Sequence, residues 1–184
     1  LADETGVTTD TRMTMSKTFR ASSFATIADL AEAVPNLQST TFYQGDKGDE
    51  VSDYSWNYQV GTTTVKNTSV FLYGTDLVRA VSAGTDLPMK RSLSYKAVNG
   101  AGLTPDAADA FYDASGNILA TAAPNLQSET WYVGTYRGEE IAKYAYNMYL
   151  GKTTVRNVSV YYYEGKLADE TGVTTDTRMT MSKT

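Results

Sequence analysis

Polar and apolar residues alternate over long stretches of this chain. Tyr54, Trp56, Tyr58 and Val60 share one parity, and so do Tyr144, Tyr146, Met148 and Leu150. A period of two places every second side chain on one face of an extended segment, so both stretches predict strands. Met13, Met15, Lys17 and Phe19 repeat the pattern, as do Met89, Arg91, Leu93 and Tyr95. Further strands are predicted at 40–44 and 129–133, and at 63–73 and 153–163. The period changes to a helical one at Phe24, Ile27, Leu30, Ala31 and Val34, behind Ser23 as an N-cap. A second helix is predicted from Thr104-Pro105-Asp106, ending near Ser115-Gly116-Asn117.

These elements come in two sets. PNLQSTTFY at 35–43 matches PNLQSETWY at 124–132, and the segment 63–70 matches 153–160. The opening strands are offset by only 76 residues against 90 for the late ones, so the second repeat has gained about thirteen residues before its PNLQS motif. A larger period encloses both, because LADETGVTTDTRMTMSKT stands at 1–18 and again at 167–184. The natural unit is therefore expected to be about 166 residues long within a tandem array. The organisation reads as repeat A over 1–75, repeat B over 76–166, and the start of another copy of A over 167–184. Each repeat is expected to be β-α-β-β-β: an α+β module whose small mixed sheet carries one helix across it, in a β-grasp-like arrangement. Polar linkers at Gly74–Asp86 and Gly165–Asp176 are short, so such modules should stack end to end as a semi-rigid rod.

Composition narrows the function. The chain has a net charge of −5 and no basic stripe, which argues against nucleic acid as a partner. No apolar run reaches transmembrane length, so no membrane insertion of this segment is expected. Neither His nor Cys is present, which removes the commonest general base and the sulfur nucleophile. Near-duplicate modules in series are a poor architecture for an enzyme, and no catalytic residues are assigned.

Three groups carry candidate chemistry. Asp46, Asp49, Glu50 and Asp53 crowd into one predicted loop, as flexible calcium sites require, although the spacing is not that of an EF-hand and a solvated hairpin turn is the better-supported reading. Tyr161, Tyr162 and Tyr163, with Tyr149, could stack on sugar rings or anchor a protein; the ordinary alternative is packing across the sheet. Lys17 and Asn67 occupy an early and a late strand, where a side-chain crosslink could replace a disulfide. Repeat B has Leu93 in place of Lys17, and a simple hydrogen bond by Asn67 is the competing reading.

Tandem units, absent cysteine, and strands rich in Thr and Tyr resemble the repeat regions of Gram-positive cell-wall adhesins, including mucus-binding repeats. That resemblance implies an extracellular, wall-anchored protein whose repeats contact one another and project an adhesive tip. It implies as an alternative that the repeats themselves bind host glycan or protein, with avidity from copy number. A filament subunit donating a terminal strand is the further alternative. No binding residue carries over from the resemblance.

Overall fold

The computed structural model describes residues 6–20, 36–105, 119 and 123–184. Ten strands form one antiparallel sheet: β1 (Met15–Phe19), β2 (Leu37–Gln44), β3 (Val51–Tyr58), β4 (Val65–Tyr73), β5 (Met89–Lys96), β6 (Leu126–Val133), β7 (Ile141–Met148), β8 (Val155–Tyr163), β9 (Lys166–Leu167) and β10 (Met179–Lys183). Their order is β1-β2-β3-β4-β5-β6-β7-β8-β10, with the two-residue β9 also against β8. Apart from that detour, every strand pairs with its neighbour in sequence, and the sheet is a meander.

The expected fold class is corrected by this topology. Among the described residues there are not two small mixed sheets crossed by helices but one antiparallel sheet running through both repeats. Among the described residues there is no α-helix; short 3-10 turns stand at Ala80–Ser82 and Ala123–Asn125. The predicted helix over 24–34 lies outside the described residues. So does the second, apart from Thr104 and Pro105 at its start, which are not helical. β5 explains why the repeats do not close separately. It is hydrogen-bonded to β4 along one edge and to β6 along the other, so the opening strand of B continues the sheet of A. A β-grasp needs a parallel pair, and every pairing here is antiparallel.

Residues directly opposite in adjacent strands share a face. The registers therefore draw rows across the sheet. One row runs Met15, Phe42, Tyr54, Val70, Leu93, Glu129, Tyr146, Val158. A row on the opposite face runs Ser16, Thr41, Ser55, Ser69, Ser94, Ser128, Asn147, Asn157. The sheet thus has an apolar and aromatic face and a face of small hydroxyl and amide side chains.

The aromatic face holds the main core: Val70, Leu72, Leu93, Tyr95, Leu126 and Met148, drawn from β4 to β7 and so from both repeats. Full burial of one such side chain contributes about 1.5–3 kcal/mol, so this shared core binds A to B strongly. Phe42 stacks on Tyr54 with centroids 4.5 Å apart, and Trp56 meets Phe42 edge-on at 4.8 Å. Residues after β5 cross this face: the Trp56 indole donates to the Leu103 carbonyl at 2.8 Å, and Leu103 N–H donates to Thr68 Oγ1 at 3.0 Å. Gly102 permits that approach, because a Cβ there would collide with the Trp56 ring.

The linkers fold back on the polar face. Residues after β4 form a second small core, with Val51, Tyr73 and Ala80 buried and Phe71, Val78, Ala83 and Met89 against them. Residues after β8 do the same, with Ile141, Tyr163 and Ala168 buried beside Val133, Tyr161 and Val173. Each linker is thus packed on the repeat it leaves. The β2–β3 and β6–β7 hairpins turn at Gly45 and Gly134, whose positive φ would bring a Cβ to 2.7 Å from the Asp49 and Glu139 carbonyls.

Candidate functional site

The most elaborate constellation of side chains surrounds β5, where A passes into B. Three devices hold it. First, Arg79 in the linker is buried and pairs with Asp53 on β3, Nη2 to Oδ1 2.8 Å and Nε to Oδ1 2.9 Å. Asp53 lies on the polar face, because its neighbour Tyr54 belongs to the aromatic row. Tyr73 closes the same region, its hydroxyl donating to the Ser52 carbonyl at 2.6 Å. Burial raises the pKa of that phenol well above the ordinary value, and Glu140 nearby adds to the effect.

Second, Arg91 sits on the aromatic face between Glu129, at 3.1 Å, and the Trp131 ring, with its guanidinium carbon 3.3 Å from the centroid. Arg91 and Glu129 come from adjacent strands, β5 and β6, so the pair ties the opening strand of B to the rest of its repeat. Third, the β6–β7 hairpin of B reaches back over A. Arg137 donates to the Glu50 carbonyl and, at 3.3 Å, to the Thr85 carbonyl in the linker. Glu140 accepts from Met89 N–H at 2.9 Å and from Gly138 N–H at 2.8 Å, tying β5 to the same hairpin.

The proposed calcium ligands are distributed differently from a single loop site. Asp46 and Asp49 lie in the β2–β3 turn, joined by Asp49 N–H donating to the Asp46 carbonyl at 3.0 Å. Glu50 accepts from Met13 N–H and Gly48 N–H, each at 2.9 Å. The first of these bonds is the main reason its carboxyl is held below the usual range. Asp53 is engaged by Arg79 on the polar face. Calcium needs several converging oxygens. Among the described residues no three acids converge on one point, so these four do not fit the ion as a set.

The tyrosines do not form one row. Tyr163 is buried, its hydroxyl donating to the Ala142 carbonyl at 2.8 Å, and Tyr161 packs beside it. Tyr162 faces the other way, where Lys183 Nζ lies 5.2 Å from its ring. Tyr149 alone is largely exposed. Lys17 and Asn67 are not brought together: Lys17 lies opposite Thr40, in the row that passes through Trp56 to Thr68. Asn67 is next to Thr68 and so on the other face, where it accepts from Asn57 Nδ2 at 2.8 Å.

Sequence reasoning passed over the residues that hold the surroundings of β5 from both faces, namely Arg79, Arg91, Glu129 and Arg137. One signal was available. Asp53 and Arg79 recur 90 residues on as Lys143 and Asp169, with both charges reversed. That second pair is also formed, at 2.6 Å. Compensating reversal in two positions far apart in sequence marks a spatial contact.

Among the described residues no helix is long and apolar enough to cross a membrane. No protein family, no curated protein and no solved structure matches this chain.

Proposed function

We propose that the chain is a repeat module of a long bacterial surface protein, extracellular and anchored in the cell wall, serving as a spacer that holds an adhesive tip away from the cell. The observation that carries this reading is the continuity of the sheet across the A–B boundary, with a core shared by β4 to β7. Repeats that share a sheet and a core cannot hinge freely, and restricted bending is what a spacer needs. The bond from Arg137 to the Glu50 carbonyl of A adds to that stiffness, and Glu140 and Arg91 fasten β5 to the body of B. Cysteine is absent, and buried ion pairs and cross-strand packing provide the cohesion that disulfides give other exported proteins.

Direct binding of host glycan or protein by the repeats is less well supported. Three of the four tyrosines considered for it are at least partly buried against their own sheet or its terminal strand. The test is small-angle X-ray scattering on chains of one, two and three units. Eight strand spacings of about 4.8 Å should lengthen the particle by roughly 38 Å per unit, with a constant cross-section. A maximum dimension that fails to rise linearly would remove the spacer reading.

A further inference from the structure

The two ends of the chain carry the two halves of a junction that β5 carries complete. On its β4 side, Met89 faces Tyr73, Arg91 faces Leu72, Ser92 faces Phe71 and Leu93 faces Val70. β10 repeats that register on β8: Met179 faces Tyr163, Met181 faces Tyr162, Ser182 faces Tyr161 and Lys183 faces Val160, with one residue skipped at the same place. On its β6 side, Arg91 faces Trp131, Ser92 faces Thr130, Leu93 faces Glu129 and Ser94 faces Ser128. β1 repeats this register on β2: Met15 faces Phe42, Ser16 faces Thr41, Lys17 faces Thr40 and Thr18 faces Ser39. Side chains follow suit, since Ser92 Oγ lies 3.1 Å from the Tyr132 hydroxyl and Ser16 Oγ 3.0 Å from that of Tyr43. Residues 13–18 and 179–184 are the same six residues. β1 and β10 are thus one strand seen with opposite neighbours, and each exposes its methionines, Met15 at 44% and Met181 at 41%.

A cleft gives a second, independent indication. A cavity of about 390 Å³ lies between residues 133–141 of the β6–β7 hairpin and 168–175 of the linker, with Glu139, Asp169, Glu170 and Thr175 in its walls. At the corresponding place in A, Arg137 of the following repeat donates to the Glu50 and Thr85 carbonyls. The counterparts of those acceptors, 90 residues on, are Glu140 and Thr175. The counterpart of Arg137 is Lys47, which stands exposed before Gly48 as Arg137 does before Gly138. A cation suits an acid-walled cleft in which Lys143 already occupies only Asp169.

We infer that Met179–Lys183 is the shared strand of a junction with a second copy of this unit. The second copy's Leu37–Gln44 strand adds to the open edge of β10, and its Lys47 enters the cleft over the 168–175 linker. This inference rests on the spacer reading and names the contact through which one unit holds the next. Hydrogen bonds along the new strand pair fix the register, and the reversed latch with its acidic cleft gives the junction its own charge signature.

The test compares the 184-residue chain with a tandem of two units, residues 1–184 followed by 19–184. Amide hydrogen exchange is measured by mass spectrometry. In the first unit of the tandem, residues 179–184, 133–140 and 168–175 should exchange roughly tenfold or more slowly than in the single chain. The same residues of the second unit should match the single chain. Lys47→Glu in the second unit should restore fast exchange at 133–140 and 168–175 of the first while 179–184 stays slow. Equal exchange of 179–184 in both chains overturns the junction, and cleft exchange indifferent to Lys47→Glu overturns its occupant. Scattering on the same tandem separates the two readings. Linear lengthening with unprotected 179–184 leaves a spacer without this junction, whereas protection without lengthening keeps the junction and removes the spacer.

Discussion

The linkers after β4 and after β8 start from the same tyrosine and fold over the same place on two different repeats, yet they are not equally sealed. Tyr73 and Tyr163 both donate to a carbonyl one strand away, Ser52 and Ala142. Each linker then makes an ion pair with its repeat. In A the pair is Asp53 with Arg79, only 6% of either side chain being exposed. In B it is Lys143 with Asp169, exposed to 34% and 47%. The A linker is covered by the β6–β7 hairpin through Arg137, and among the described residues no such cation covers the B linker in this chain. A latch of one design is therefore a buried pair where a repeat follows and a solvated one at the open end. The reversed polarity carries a second lesson. Either linker docked on the wrong repeat would set Arg79 against Lys143 or Asp169 against Asp53, and like charges in contact reject the wrong partner as surely as opposite charges hold the right one.

The largest expected effect probes that difference in burial. Asp53→Ala removes the carboxylate facing a buried guanidinium and should cost about 3 kcal/mol or more, read from denaturant midpoints at unchanged slope. Lys143→Ala, at the solvated counterpart, should cost less than about 1 kcal/mol. Equal losses would mean that covering by the next repeat does not distinguish the latches. The polarity claim is sharpened by transplanting the B pair into A. Asp53→Lys alone puts two cations together, and adding Arg79→Asp should recover at least half of the lost stability. A double variant no better than the single one would show that the reversal between repeats is not a matched exchange.

A smaller effect separates the two equivalent glutamates. Glu140 ties β5 to the β6–β7 hairpin at the complete junction, and Glu50 ties Met13 to the β2–β3 hairpin at the open edge. Glu140→Gln should lower stability by about 1 kcal/mol, since two backbone donors lose a charged acceptor. Glu50→Gln should speed amide exchange around Met13 and leave the unfolding midpoint where it was. A midpoint shift for Glu50→Gln as large as that for Glu140→Gln would place β1 in the cooperative core.

Much of the strand content was legible because alternation is a local signal. Tyr54 and Trp56, Tyr144 and Tyr146, Leu93 and Tyr95 mark faces that burial confirms or half-confirms, and the observed β3, β5 and β7 fall where those residues lie. Pairing partners are not local. Nothing in Met89–Lys96 says that both its edges are occupied, so the repeats read as separate modules when β5 in fact welds them. Asp53 was grouped with Asp46, Asp49 and Glu50 by nearness in sequence. Its place on the alternating strand, opposite in parity to Tyr54, sends its carboxylate to the polar face and to Arg79 instead. Arg91 is a charge in an otherwise apolar alternating set, and the register that puts it opposite Trp131 and beside Glu129 explains it. The charge reversal between the linkers was written in the sequence, but it becomes meaningful only once the linkers are known to fold back on their own repeats.

Acid should distinguish the open latch by the smallest effect. The hydrogen bond from Lys143 is the main cause that holds the Asp169 carboxyl below its ordinary value of 3.8, and its own backbone N–H adds to it. A carboxyl whose folded pKa is depressed gives up its proton more readily in the folded protein than in the unfolded chain. Its contribution is therefore complete above the unfolded value and is lost as pH falls through the folded one. Amides of residues 166–176 should accordingly keep their protection at pH 6 and lose part of it below about pH 4, where carboxylates take up protons. The loss should be modest, since the pair is solvated and screened. Lys143→Met removes the cause of the depression, so this segment should then show the same reduced protection at pH 6 as the native chain shows in acid. If the native and Lys143→Met chains instead lose protection in parallel as pH falls, the acid sensitivity of the linker lies elsewhere than in this pair.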